Sequence, residues 1–113
     1  MINLKNKKVL ITGATGGIGG ALVKKFLSLN AEVLGTGTNT EKLESLKKNF
    51  SKIRVKKFDI SSHSSIEKFI DEVSEELGGL DILVNNAGIN RDNLSLRMKD
   101  EEWKKVIDVN LSS

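Results

Sequence analysis

The 113-residue chain has no cysteine and a single histidine, His63. Disulfides, thiolate metal centres and a cysteine nucleophile are therefore excluded, and one imidazole supports neither a histidine metal cluster nor a conventional catalytic triad. Long apolar runs are also missing. Stretches such as Ile82-Leu83-Val84 fall far short of the roughly 20 residues that cross a bilayer. Met1 to Leu10 carries lysines and asparagines where a secretory leader needs a greasy segment. These absences predict a cytoplasmic protein with no membrane association. Positive charge is in slight excess, at a formal +3, but its lysines are scattered rather than blocked together, which gives little support for nucleic-acid binding. A weak basic field favours encounters with a phosphate-bearing cofactor or an acidic carrier protein.

What is present is the composition of a folded domain: 38% hydrophobic and 29% charged residues allow one modest core in a soluble globular chain. No internal repeat, linker or low-complexity tract interrupts it, so residues 1–113 read as one continuous unit. Short β-branched runs alternate with amphipathic stretches, the pattern of a parallel sheet with helical crossovers. Strands are expected at Lys8 to Thr12, Glu32 to Thr36, Arg54 to Phe58 and Asp81 to Asn85. The first expected helix, Gly17 to Leu29, places Ile18, Ala21, Leu22, Phe26 and Leu29 on one face. The second, Thr40 to Phe50, groups Leu43, Leu46 and Phe50 behind a Thr38/Glu41 capping box. The third, Ser65 to Leu77, presents Ile66, Phe69, Ile70, Val73 and Leu77 after a Ser64/Glu67 capping pair, and Gly78-Gly79 ends it. A polar loop from Gly88 to Lys99 is then expected to lead to a last helix at Asp100 to Leu111.

The segment Thr12-Gly13-Ala14-Thr15-Gly16-Gly17-Ile18-Gly19 stands between the first strand and the first helix. Glycines there permit a tight turn and let backbone approach a pyrophosphate, while free N–H groups and the positive end of the helix dipole hold the anion. The spacing is not Gly-x-Gly-x-x-Gly. Gly13, Gly17 and Gly19 fit Gly-x-x-x-Gly-x-Gly, and Gly13, Gly16 and Gly19 equally fit Gly-x-x-Gly-x-x-Gly, so the loop by itself leaves both open.

Two motifs together resemble the short-chain dehydrogenase/reductase family: the Thr12-Gly13-x-x-x-Gly17-x-Gly19 loop, and Asn85-Asn86-Ala87-Gly88 after the fourth strand. The second motif points to the single-domain branch and resolves the glycine spacing in favour of Gly13, Gly17 and Gly19. Within that branch, Gly88 to Leu94 and Arg97 to Trp103 look like the corresponding loop and helix of 3-oxoacyl-carrier-protein reductases. The resemblance implies a Rossmann-type doubly wound parallel sheet, incomplete here, with strand order 3-2-1-4 and the later strands absent. It also implies NADPH-dependent reduction of a 3-oxoacyl thioester on acyl carrier protein in fatty acid biosynthesis, by a parent protein that is a homotetramer.

By the same resemblance the cofactor-binding residues are Thr12, Gly13, Thr15, Gly16, Gly17, Ile18 and Gly19 around the pyrophosphate. Thr38 follows the second strand, Asp59 and Ile60 face the adenine, and Asn86, Ala87 and Gly88 border the riboses. Asp59 fits a turn or helix cap equally well, and Asn86 is expected to tie neighbouring strands together rather than touch substrate. Asn110 is the single candidate for a catalytic part. Trp103, Val106, Ile107, Asn110 and Leu111 share one face of the expected last helix, and the family's matching asparagine holds a water in a proton relay. The plainer alternative is a polar residue at a helix end.

Cofactor choice has a local argument. A carboxylate ending the second strand accepts from the ribose 2′-hydroxyl of NADH and repels a 2′-phosphate; here that place reads Gly35-Thr36-Gly37-Thr38-Asn39. With no acid, and with Thr38 and Asn39 as donors, NADPH is favoured, although Gly16 stands where many NADP-preferring relatives carry arginine. The family's Ser and Tyr-x-x-x-Lys pair have no counterpart, since the chain has no tyrosine, so the chain alone is expected to be inactive. The fourth strand is expected to expose an apolar edge that recruits other chains. Competing readings are a single-domain dehydrogenase acting on a sugar, steroid or small alcohol, and a non-catalytic NADP-binding sensor.

Overall fold

The computed structural model describes residues 3–59, 63–86, 93–98 and 105–110. Strand β1 (Lys8–Thr12), helix α1 (Gly17–Ser28), β2 (Glu32–Gly37), α2 (Thr40–Asn49), β3 (Arg54–Lys57), α3 (His63–Leu77) and β4 (Ile82–Asn85) follow one another in the expected alternation. The first four strands are parallel in the order 3-2-1-4, a Rossmann-type α/β sheet.

Each central strand is apolar on both sides, as a parallel sheet covered by helices on both faces requires. Val9 and Ile11 of β1 join Val33, Ile82 and Val84 in a core closed by Val23 of α1 and Leu46 of α2. Leu10, between them in sequence, points the other way into a second core with Leu34, Leu83 and Phe69, Val73 and Leu77 of α3. Alternation with period two thus assigns α1 and α2 to one face and α3 to the other. At the lower end the Lys8 N–H donates to Asp81 Oδ2 at 2.9 Å and the Asp81 N–H to the Lys8 carbonyl at 2.9 Å, aligning β1 with β4.

Three local expectations are corrected. The buried line of α1 runs through Gly19 and Val23, while Ile18 and Ala21 are exposed, because the helix lies on its own turn at Gly19. Asn39, not Thr38, caps α2, its Oδ1 accepting from the Lys42 N–H at 3.1 Å. Helix α3 already includes Ser64, which is therefore inside the helix and not its cap.

The largest correction follows β4. Where a loop and a helix from Asp100 to Leu111 are expected, the sheet continues as β5 (Asn93–Met98) and β6 (Lys105–Asn110), both antiparallel to their neighbours. Val84 is opposite Leu96, and Leu96 is opposite Ile107. The outer edge of β4 is thus paired and not bare. Its row of backbone donors and acceptors gains partners, and Asn-Leu-Ser-Leu-Arg-Met has the strict apolar alternation of a strand. Long-range edge pairing outweighs the helical spacing of the segment beyond it.

Candidate functional site

Ligands of open parallel sheets gather beyond the carboxyl ends of the strands, where the chain order reverses. In this sheet β1 is flanked by β2 and β4, so that place lies above Thr12 and Asn85, which are opposite one another. The turn leaving β1 passes through Gly13 at φ 64°, a left-handed conformation that favours glycine. It then folds back over β2, with the Ala14 N–H donating to the Thr36 carbonyl at 2.8 Å.

The glycines divide by what holds them. A Cβ on Gly19 would lie 2.1 Å from the Gly13 carbonyl oxygen and 2.7 Å from Ala14 Cα, so glycine there lets α1 rest on the turn. A Cβ on Gly17 would meet nothing within 4 Å, and one on Gly16 only the Gly13 carbonyl oxygen at 3.9 Å. The chain's own packing makes no demand for glycine at these two exposed positions, which leaves the helix start open to close approach. Helix α1 begins after Gly16 with no side-chain cap and no acidic residue in its first turn. The first helical bond runs from the Gly20 N–H to the Gly16 carbonyl at 2.8 Å, so the N–H groups of Gly17, Ile18 and Gly19 precede the first intrahelical donor and have no acceptor within the helix, and the dipole makes this end positive. Such a helix start fits a diphosphate. Ile18, 37% accessible, supplies an apolar surface beside it.

Two side chains tie the turn to the end of β4. Thr12, only 5% accessible, has its Oγ1 3.2 Å from Asn85 Oδ1 and 3.4 Å from the Val84 carbonyl oxygen, and it accepts from the Asn86 N–H at 3.0 Å. The Asn86 amide donates from Nδ2 to the Gly13 carbonyl at 3.1 Å. Asn86 thus connects neighbouring strands, and Asn85, part of the sequence motif but not among the expected cofactor-binding residues, belongs to the same lock.

On the other side, a Cβ on Gly37 would lie 3.1 Å from Thr15 Cγ2 and 3.3 Å from Thr15 Oγ1, and one on Gly35 would lie 2.8 Å from Ala14 Cβ. In the sequence these glycines show only the lack of a carboxylate; their i, i+2 spacing on β2 is the signal that a turn lies on that face. Thr38 is exposed just before the Asn39 cap, and Asp59 is exposed after β3. Ile60, Ala87 and Gly88 lie outside the described residues. Asn110 ends β6 opposite Asn93. It is therefore at the same end of the sheet as Thr12, but two strands beyond β4 and not on the helix expected for it. Among the described residues no three His, Cys, Asp or Glu side chains gather as a metal site, and no helix is long and apolar enough to cross a membrane.

The family model for short chain dehydrogenases matches residues 7–113. The chain belongs to that family. Among curated relatives, 3-oxoacyl-acyl-carrier-protein reductase of Escherichia coli K12 is 40% identical over 113 residues, covering 99% of this chain and 46% of the relative. The enzyme of the same name from Rickettsia conorii is 43% identical over 117 residues, covering 100% of this chain and 46% of its own length. The chain therefore spans about half the length of these short-chain dehydrogenases. Among solved structures it is similar to a short chain dehydrogenase from Bacillus anthracis, with a TM-score of 0.67 and 35% identity over 77% of this chain and 38% of that one. It is also similar to 2-keto-3-deoxy-D-gluconate dehydrogenase from Streptococcus agalactiae, with a TM-score of 0.70 and 30% identity over 79% of this chain and 35% of that one.

Proposed function

We propose that this chain is the coenzyme-binding part of an NADPH-dependent 3-oxoacyl-acyl-carrier-protein reductase of fatty acid biosynthesis. The observation that carries the binding role is the uncapped start of α1, with room for a ligand at Gly16 and Gly17. Support for the substrate comes from the relatives of that name, 40% and 43% identical. Its partner is acyl carrier protein bearing the 3-oxoacyl thioester, its compartment the cytoplasm, and its whole assembly a homotetramer.

When bound, the nicotinamide supplies the hydride that reduces the 3-oxo group. The N–H groups of Gly17, Ile18 and Gly19 would hold the diphosphate, and Gly13, whose carbonyl accepts from Asn86, sets the turn that leads to them. Thr15, Thr38 and the Asn39 amide would line the adenosine ribose. Asn39 Oδ1 is used in the helix cap, so only the Nδ2 donors of this amide would remain for a 2′-phosphate. Asp59 and Ile60 are assigned to the adenine, and Ala87 and Gly88 to the ribose edges. Asn110 ends β6, so the helical face on which its relay role is expected is replaced there by a strand.

Titration of the chain with NADPH and NADH tests the reading: tighter binding of NADPH is the expected result, and equal or reversed preference overturns the cofactor assignment. With no tyrosine to protonate the alkoxide, the purified 113-residue chain should oxidise no NADPH on addition of an acetoacetyl thioester. Protein-dependent turnover in that assay would refute the division of labour.

A further inference from the structure

A dinucleotide 2′-phosphate carries about two negative charges, and Gly16 provides none of the positive charge that an arginine would bring to it. The structure contains a candidate elsewhere. A groove of about 520 Å³ runs between α1 and α2, and it is lined by Thr15 at the top, Lys24 from α1 and Lys42 and Ser45 from α2. Among the described residues, two lysines and no acidic residue line it. Among them too, neither ammonium group has an ion-pair partner, the paired lysines being Lys8 and Lys56.

Thr15, which lines this groove, also lies against Gly37 at the end of β2. Thr15 reaches to within 3.1 Å of the place a Gly37 Cβ would occupy, so any acid at position 37 would have to displace it. Lys42 starts from the first turn of α2, and its N–H is held by Asn39. It therefore adds its charge to the positive end of that helix. Lys24 of α1 lines the same groove, so both of its helical walls carry a flexible ammonium group.

We infer that Lys42 and Lys24 are the specificity-determining cations for the coenzyme's 2′-phosphate, replacing the missing arginine at Gly16, with Thr15 and the small Gly37 keeping the acid of an NADH site out. The inference rests on the proposed NADPH-binding role and deepens it.

The test is calorimetric titration of the chain and of Lys42→Met, Lys24→Met and the double variant with NADP+ and with NAD+, at low and at physiological salt. Both lysines are exposed, so the variants keep the fold, and circular dichroism melting verifies it. The double variant should weaken NADP+ by about 10-fold or more and leave NAD+ within about 2-fold, and it should flatten the salt dependence of NADP+ binding. Retention of full NADP+ preference in the double variant overturns the lysine assignment while the cofactor reading stands. An equal loss for both nucleotides also overturns it, since it shows a role unrelated to the 2′-phosphate. Failure of the unsubstituted chain to bind either nucleotide overturns the cofactor reading, and this inference with it.

Discussion

Single atoms decide the glycine turn. Gly19 and Gly17 belong to the same motif, yet a methyl group at Gly19 meets the Gly13 carbonyl at 2.1 Å and one at Gly17 meets nothing within 4 Å. Gly19→Ala must shift backbone and should cost about 2 kcal/mol or more in a urea titration. Gly17→Ala should leave the melting temperature unchanged or slightly raised while weakening dinucleotide binding by about 10-fold. A loss of stability at Gly17, or none at Gly19, would contradict the division of the motif into a packing glycine and a ligand-facing one. A Cβ at Gly16 would meet only one oxygen, at 3.9 Å, and the position is exposed, so Gly16→Arg should fold normally and tighten NADP+ over NAD+ by about 10-fold, as read in the same titrations. The packing and ligand-facing roles are not separable in the sequence, where Gly13, Gly16, Gly17 and Gly19 satisfy two spacings at once. The answer depends on where the carbonyl of Gly13 points after the chain has turned.

At the scale of elements, the turn is held from both sides: by Ala14 on β2 and by the Thr12, Asn85 and Asn86 contacts with β4. Thr12→Val keeps the shape but removes the acceptor of the Asn86 N–H. A part-buried donor left without a partner should cost about 1–3 kcal/mol, and exchange of the Asn86 amide should quicken relative to that of Leu10. Unchanged Asn86 protection would show that the lock is not formed by the hydroxyl. Much at this scale is legible in the sequence. The four parallel strands, the core-facing Leu43 and Leu46 of α2, and Phe69, Val73 and Leu77 of α3 follow from apolar periodicity, because burial on a defined face imposes it. Helix α1 is less legible. Its buried face includes a glycine, and a residue without a side chain leaves no hydrophobic signal for the period to register.

The whole molecule is a parallel sheet continued by an antiparallel pair. Strands β5 and β6 cover the edge of β4, so a chain ending at Asp92 should expose the backbone of Ile82–Asn85 and its apolar side chains to other copies. Size-exclusion chromatography should then show the shortened chain self-associating at concentrations where the 113-residue chain does so weakly or not at all; the same degree of association in both would argue against the covering role. Leu10, wholly inaccessible between β2 and β4 in the α3-side core, reports on the sheet itself. Leu10→Ala should cost about 2–5 kcal/mol, measured by denaturant unfolding, and should weaken both nucleotides alike through the shared population of folded chain.

The sequence by itself determined the parallel α/β class, the order of its first seven elements, the glycine turn at the head of α1 and membership of a dehydrogenase family. Each is written in local patterns of a few residues to a few turns, where side-chain alternation and backbone freedom act directly. Tertiary structure alone decided which glycine packs and which faces outward, that Thr15 lies against Gly37, that Lys24 and Lys42 share one groove, and that β5 and β6 pair onto an open sheet edge. Those outcomes depend on groups distant in the chain meeting in space. A strand edge in need of hydrogen-bond partners can overrule a helical spacing that no local residue contradicts.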